Sequence, residues 1–361
     1  MAGKGIGERL DGPLPDLPHD AGRAAGGPRA GPHASEASNL EPAPTLDQRQ
    51  PIHDGPGQAR GAARSLPWAA VAAVFLLMTI GNIVSATGSG LACPDWPLCH
   101  GRLIPPLEPG VLIEYSHRLT AAVASLLLVA TIIVTLRGGS PRGVRRVGIG
   151  LLVLLGVQIG LGGITVLLRL PHLISTAHLV NALLILGGLL LLASRTGPTD
   201  ALGGSAGPVA RLGRVGLAVL LLQLALGGYV RHTGAGLACP DFPLCSGDLL
   251  PGHWLAAAHW AHRWLGIALL GLFIHLAIAS RGTRLAGAAA GTAALAALQV
   301  MLGIAAVLLR LDPSIRAIHA AAGYVLWGAL VWISVRAGGW RGGLAETPGS
   351  RPDAVEVGHA E

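Results

Sequence analysis

Charge is what this sequence has least of. Only 12% of its 361 residues are charged, 51% are hydrophobic, and the mean hydropathy is +0.56. Soluble chains carry about a quarter charged residues, so a membrane protein is the first class to consider. Cysteine is nearly absent as well, with four residues in all. No cleaved leader is recognisable, because about 65 polar residues precede the first apolar run. The net charge of +7 does not point to nucleic acid, since the arginines sit in short connections between apolar runs.

Those runs dominate the chain. Apolar stretches of about 20 residues, enough for a helix to cross the hydrocarbon, occur eight times. They lie at roughly 68–86, 114–136, 147–168, 174–194, 212–230, 255–280, 285–309 and 315–335. Residues 1–65 and 337–361 lack hydrophobic periodicity and read as disordered tails, with His19, His33, His53 and His359 inside them. Arginines concentrate before the first run, after the last, and in alternate connections, as at Arg137, Arg142, Arg145 and Arg146. That bias predicts a multi-pass cell-membrane protein with both termini cytoplasmic.

The four cysteines form two equal pairs. "SGLACPDWPLCHG" (89–101) returns as "AGLACPDFPLCSG" (235–247), so Cys93 and Cys99 match Cys239 and Cys245 at C-x5-C spacing. Both loops fall on the outer side of the expected topology, where disulfides persist. Two intraloop disulfides therefore compete with four free thiols or a zinc site. No histidine stands at zinc spacing within a loop, which favours the disulfides.

The repetition extends further. "LGVQIGLGGITVLLRLPHLISTAH" (155–178) parallels "AALQVMLGIAAVLLRLDPSIRAIH" (296–319), and "EYSHRL" (114–119) parallels "HWAHRW" (259–264). An all-α membrane protein of two tandem four-helix bundles follows, with N-terminal half 66–196, cytoplasmic linker 197–210 and C-terminal half 211–336. An even number of spans per unit makes these parallel repeats. Each half carries one histidine near the outer end of its second helix and one near that of its fourth. These are His117 and His178, then His262 and His319. A lone intramembrane histidine is equally well a hydrogen-bonding residue. Two at equal depth, repeated, suit an axial clamp for haem iron.

Arg118, Arg263, Arg169 and Arg310 lie where they could meet haem propionates, and equally where they could snorkel to headgroups. Gln158 and Gln299 read as interhelical hydrogen bonds. Trp96, Trp254, Trp260 and Trp264 fit an interfacial belt. The halves differ at one position on the ligand face: Glu114 precedes His117 by three residues, whereas His259 precedes His262. Glu114 suits a proton relay, or equally a hydrogen-bonding support.

The segments "TGSGLACPDWPLC", "EYSHRLTA", "STAHLVNA", "HWAHRW" and "IHAAAGY" resemble the haem A synthase family, in its bacterial members with cysteine pairs in both halves. The resemblance covers about residues 68–336. It implies a membrane monooxygenase that oxidises the C8 methyl of haem O to a formyl group by two hydroxylations and loss of water. By the same resemblance, His117 and His178 hold the substrate haem, and His262 and His319 hold a permanent haem b. Glu114 matches an essential glutamate, and Cys93 with Cys99 match a loop pair tied to catalysis. Molecular oxygen is the implied co-substrate. Implied partners are a haem O synthase, the cytochrome oxidase assembly machinery, an unidentified electron donor, membrane lipid and a second copy of the chain, with no nucleic acid. A bis-haem b electron carrier is the main alternative and a transporter the second.

Overall fold

The computed structural model describes residues 56–138, 140–195, 207–248 and 250–338. The described residues contain eight long α-helices and no strand. They are α1 (Pro56–Ala86), α2 (Pro109–Arg137), α3 (Arg142–Leu167), α4 (His172–Arg195), α5 (Gly207–His232), α6 (Trp254–Ala279), α7 (Ala286–Leu308) and α8 (Pro313–Arg336). All eight are long and apolar enough to span a bilayer, and the chain is an all-α, multi-pass membrane protein. The expected spans coincide with them.

Most of residues 1–65, 197–210 and 337–361, expected as tails and linker, lie outside the described residues, as do His19, His33, His53 and His359. Helix nevertheless occupies the inner ends of the first two, from Pro56 and from Gly207.

Local chemistry sets the helix ends. Asp312 caps α8 by accepting from the N–H of Ser314 at 2.9 Å and of Ile315 at 3.2 Å, and Pro313 follows at the first helical position, where its missing N–H costs nothing. Pro109 opens α2 in the same way. The α3–α4 and α7–α8 connections are two-residue αL turns, Arg169–Leu170 and Arg310–Leu311, all four at φ between 53° and 63°. Identical strained turns in both halves carry the repeat into the backbone.

In the first half, α1 packs on α2 and α4, and α3 on α2 and α4; α5–α8 repeat the pattern. This is compatible with two tandem four-helix units. The halves meet through α4 against α5 and α8, and through α1 against α8. Accordingly α4 and α8 are the most buried helices. Trp327 Nε1 donates to the Leu183 carbonyl at 2.9 Å across that seam, and Gly187 leaves the space in which its indole lies.

Candidate functional site

Each candidate histidine ligand faces a glycine on the odd-numbered helix beside it. A Cβ added at Gly81 of α1 would stand 2.7 Å from His117 Cε1, and one at Gly227 of α5 would stand 2.7 Å from His262 Cε1. Gly162 of α3 relates likewise to His178 at 3.2 Å, and Gly303 of α7 to His319 at 3.3 Å. Each ring also meets the backbone of the residue one turn before its glycine: Leu77, Gln158, Gln223 and Gln299. No regular hydrogen bond closes on Nδ1, and that atom is buried without a partner in all four rings. The four sites are thus built alike: an imidazole slides over a missing side chain to reach a helix backbone.

Glutamines complete the second layer. Gln223 Nε2 donates to the His262 carbonyl at 2.9 Å, and Gln299 Nε2 to that of His319 at 2.7 Å. Gln158 sits differently, with its Nε2 3.3 Å from His178 Nε2 and its Oε1 accepting from Asn181 Nδ2 at 2.7 Å. Gln158 and Gln299 make the interhelical contacts expected of them. Gln223, Gly81 and Gly303 escaped the sequence reading, whereas Gly162 and Gly227 fall in the runs "IGLGG" and "ALGG", which suit a flat macrocycle and ordinary membrane-helix packing alike. Their spacing from the repeated histidines was the available signal.

In the C-terminal half the rings of His262 and His319 lie 6.5 Å apart, their planes 85° to one another. They line a cavity of about 360 Å³, a volume within the range of small-molecule sites. Its wall is mostly apolar, from Leu220, Ile267, Phe273, Val300 and Ile304 among others, and Leu179 of α4 reaches in from the first half. Two imidazoles sharing one metal, each bonded at about 2 Å, bring their centroids roughly 6 Å apart. The pair and the apolar cavity therefore fit a flat macrocycle whose metal the two imidazoles would hold.

The cysteine loops cap these helices. Cys93–Cys99 and Cys239–Cys245 are disulfides, with S–S distances of 1.98 Å and 2.02 Å, as expected. Among the described residues no cysteine is free, and no group of three or more His, Cys, Asp or Glu could hold a metal ion. Arg118 binds the first loop through the carbonyls of Asp95 at 2.7 Å, Cys93 at 2.8 Å and Leu98. Arg263 repeats this with Asp241 at 2.6 Å, Leu244 at 3.1 Å and Cys239. Both guanidinium groups, candidates for propionates or headgroups alike, have most of their donors turned to the loops. Arg169 and Arg310 are exposed at the αL turns.

Glu114 belongs to the same construction. Its Oε2 accepts from the Cys93 N–H at 2.7 Å and its Oε1 from Arg118 Nη2 at 2.6 Å. It is the only acidic side chain buried among the described residues. His259 takes the same place opposite Cys239 and Arg263, with longer contacts of 3.4 Å and 3.2 Å.

Inside each loop an aspartate closes the turn. Asp95 accepts from the N–H of Gly101 at 2.8 Å and of His100 at 2.6 Å; Asp241 accepts from Gly247 at 2.9 Å and Ser246 at 2.6 Å. These backbone donors, led by Gly101 and Gly247, hold both carboxyls below the usual carboxylate value. Phe242 of the second loop lines the cavity, and the Trp96 ring lies 3.2 Å from where a Cβ on Gly163 would stand. Trp254 and Trp264 are exposed and Trp260 is half-buried.

The family described as cytochrome oxidase assembly protein matches residues 64–111 and 108–331 of the chain. A heme A synthase of Symbiobacterium thermophilum is 36% identical over 220 residues, covering 58% of this chain and 72% of the relative. One from Bacillus pumilus is 33% identical over 220 residues, covering 57% and 70%. A heme A synthase of Shewanella oneidensis is 28% identical over 308 residues, covering 72% and 93%.

Proposed function

The chain belongs to the cytochrome oxidase assembly protein family, and from that premise we propose that it is a haem A synthase, a membrane oxidoreductase acting on haem O. The observation that carries the proposal is the fourfold histidine–glycine construction, in which every imidazole buries its Nδ1 edge against a helix backbone. A transporter has no use for four imidazoles matched in this way.

His262 and His319 are assigned to a resident haem b, in the cavity they line. His117 and His178 are assigned to the substrate haem O. When bound, haem b supplies one-electron transfer, and molecular oxygen is the co-substrate of the methyl oxidation. An external electron donor supplies the reducing equivalents, and the residues of the chain bind, orient and shield. The imidazoles orient each macrocycle, held against helix backbone that only glycine leaves accessible. The disulfide loops, drawn down by Arg118 and Arg263, cover the helix ends and keep bulk water from the reacting edge. Glu114, anchored between Cys93 N–H and Arg118, offers a fixed carboxylate oxygen to accept a proton.

The loops are assigned to the outer face, supported by the arginine-rich connections at the opposite ends of the helices. A haem O synthase upstream and a cytochrome oxidase as recipient are the corresponding partners.

Co-expression with a haem O synthase tests the reading. Solvent-extracted pigment is expected to contain formyl-bearing haem A. Haem b alone would instead make the protein an electron carrier.

A further inference from the structure

The C-terminal cavity has an electrostatic imbalance. Arg231 of α5, Arg263 of α6 and Arg316 of α8 line it, and no Asp or Glu does. Arg263 faces its loop, but the other two differ. Arg231 donates to Asn82 Oδ1, Tyr324 lines the same cavity, and the Arg231 Nε is buried without a partner. Among the described residues nothing accepts from the Arg316 guanidinium, which repels that of Arg231. Like charges beside one apolar cavity in a membrane protein need a counter-charge to be stable there.

The repeat sharpens the point. Superposing the sequence of the halves on their glycine–histidine pairs sets Arg231 against Ser85, Arg316 against Ser175 and Tyr324 against Leu183. The first half thus has no cation at either position, and Ser175 Oγ is itself buried without a partner.

We propose that Arg231 and Arg316 form a clamp for the paired carboxylates of the macrocycle held by His262 and His319. Ser85 and Ser175 leave the first half without that clamp, so its occupant exchanges. This rests on the reading that each half takes a haem. A site that must keep its cofactor benefits from charge-assisted bonds to both carboxylates. A site that must release a product carrying the same carboxylates is better without them.

The test is haem loss from the purified full-length protein to excess apomyoglobin, followed by absorbance. Arg231→Ser and Arg316→Ser are each expected to hasten loss of haem b roughly 10–100-fold, the effect of one charge-assisted hydrogen bond. Arg231→Lys and Arg316→Lys, which keep the charge, are expected to fall between the Ser variants and wild type, which separates the clamp from a folding defect. Ser85→Arg with Ser175→Arg is expected to raise the haem retained per purified chain. An unchanged loss rate in the double Ser variant would overturn the clamp. If that variant also sheds a co-purified anionic lipid, the cations serve a headgroup instead. Absence of any haem from wild type would sink the underlying functional reading rather than the clamp alone.

Discussion

The Cys93 N–H donates to Glu114 Oε2 at 2.7 Å, tying the disulfide loop to the same helix that carries His117. In the second half the Cys239 N–H meets His259 Nδ1 at 3.4 Å instead. One architectural position therefore holds a carboxylate in one half and an imidazole in the other. The loop needs only an acceptor there. The charge at Glu114 exceeds that need, which is the argument for a proton-handling role.

Glu114→Gln is expected to leave Cys93–Cys99 oxidised and haem b bound, because an amide oxygen still accepts from Cys93. Haem A formation is expected to fall by about 10²-fold or more, as for loss of an acid–base group. Extracted haem and non-reduced peptide mass spectra read the two outcomes. Near-normal haem A would reduce Glu114 to a brace for the loop.

The histidine pairs are expected to fail differently. His262→Ala or His319→Ala should remove the haem b absorbance of purified protein. His117→Ala or His178→Ala should abolish haem A while leaving haem b largely in place. Equal loss of haem b from all four variants would refute the division between halves.

Gly227→Ala puts a methyl group 2.7 Å from His262 Cε1, closer than packed carbons approach, so the ring must move off the backbone. Haem b content is expected to drop several-fold with helicity unchanged. Gly271→Ala, also mid-helix but with nothing within 4 Å of the added methyl, is the control and should retain full haem content. If both variants keep their haem, the glycines are not part of the cradle.

The loop aspartates give an acid-side pH dependence. Asp95 is held below its ordinary value of 3.8, chiefly by the Gly101 N–H. The folded loop then binds fewer protons than the unfolded loop, and its stability rises with pH across that interval. The stabilisation is complete above the ordinary carboxylate value and is lost as pH falls through the depressed one. Reduction of Cys93–Cys99 by a phosphine, relative to a small unfolded disulfide peptide at the same pH, is expected to quicken as pH falls below the ordinary carboxylate value, and Asp95→Asn to flatten the profile. A flat profile in the wild type would contradict this.

Reducing both loops is expected to cost about 2 kcal/mol each, because each closes only a short ring. Far-UV helicity should survive while haem A formation falls. Global unfolding on reduction would mean that the loops hold the bundle together.

Much of this protein was legible in the sequence because a bilayer leaves a chain few options. Without water to satisfy backbone groups, an apolar run of about 20 residues becomes a helix, so all eight spans could be read directly. Duplication did the rest, since matching C-x5-C pairs and matching histidines identify each other without any knowledge of packing. What stayed hidden depends on contacts between helices that the chain order does not encode. Gly81 and Gly227 resemble any other membrane-helix glycine until a histidine ring from the next helix is found against them. Arg118 and Arg263 looked available to a ligand, yet the fold turns them onto loop carbonyls within one helical turn of Glu114 and His259. In the sequence Arg231 and Arg316 count only among the few arginines of the outward connections, and only the packing of α5 and α8 sets them beside one cavity. Helix formation is a local consequence of composition in a medium without water. The pairing of charges and the cradle for a ring are consequences of which helix faces meet, and that was decided by the tertiary structure.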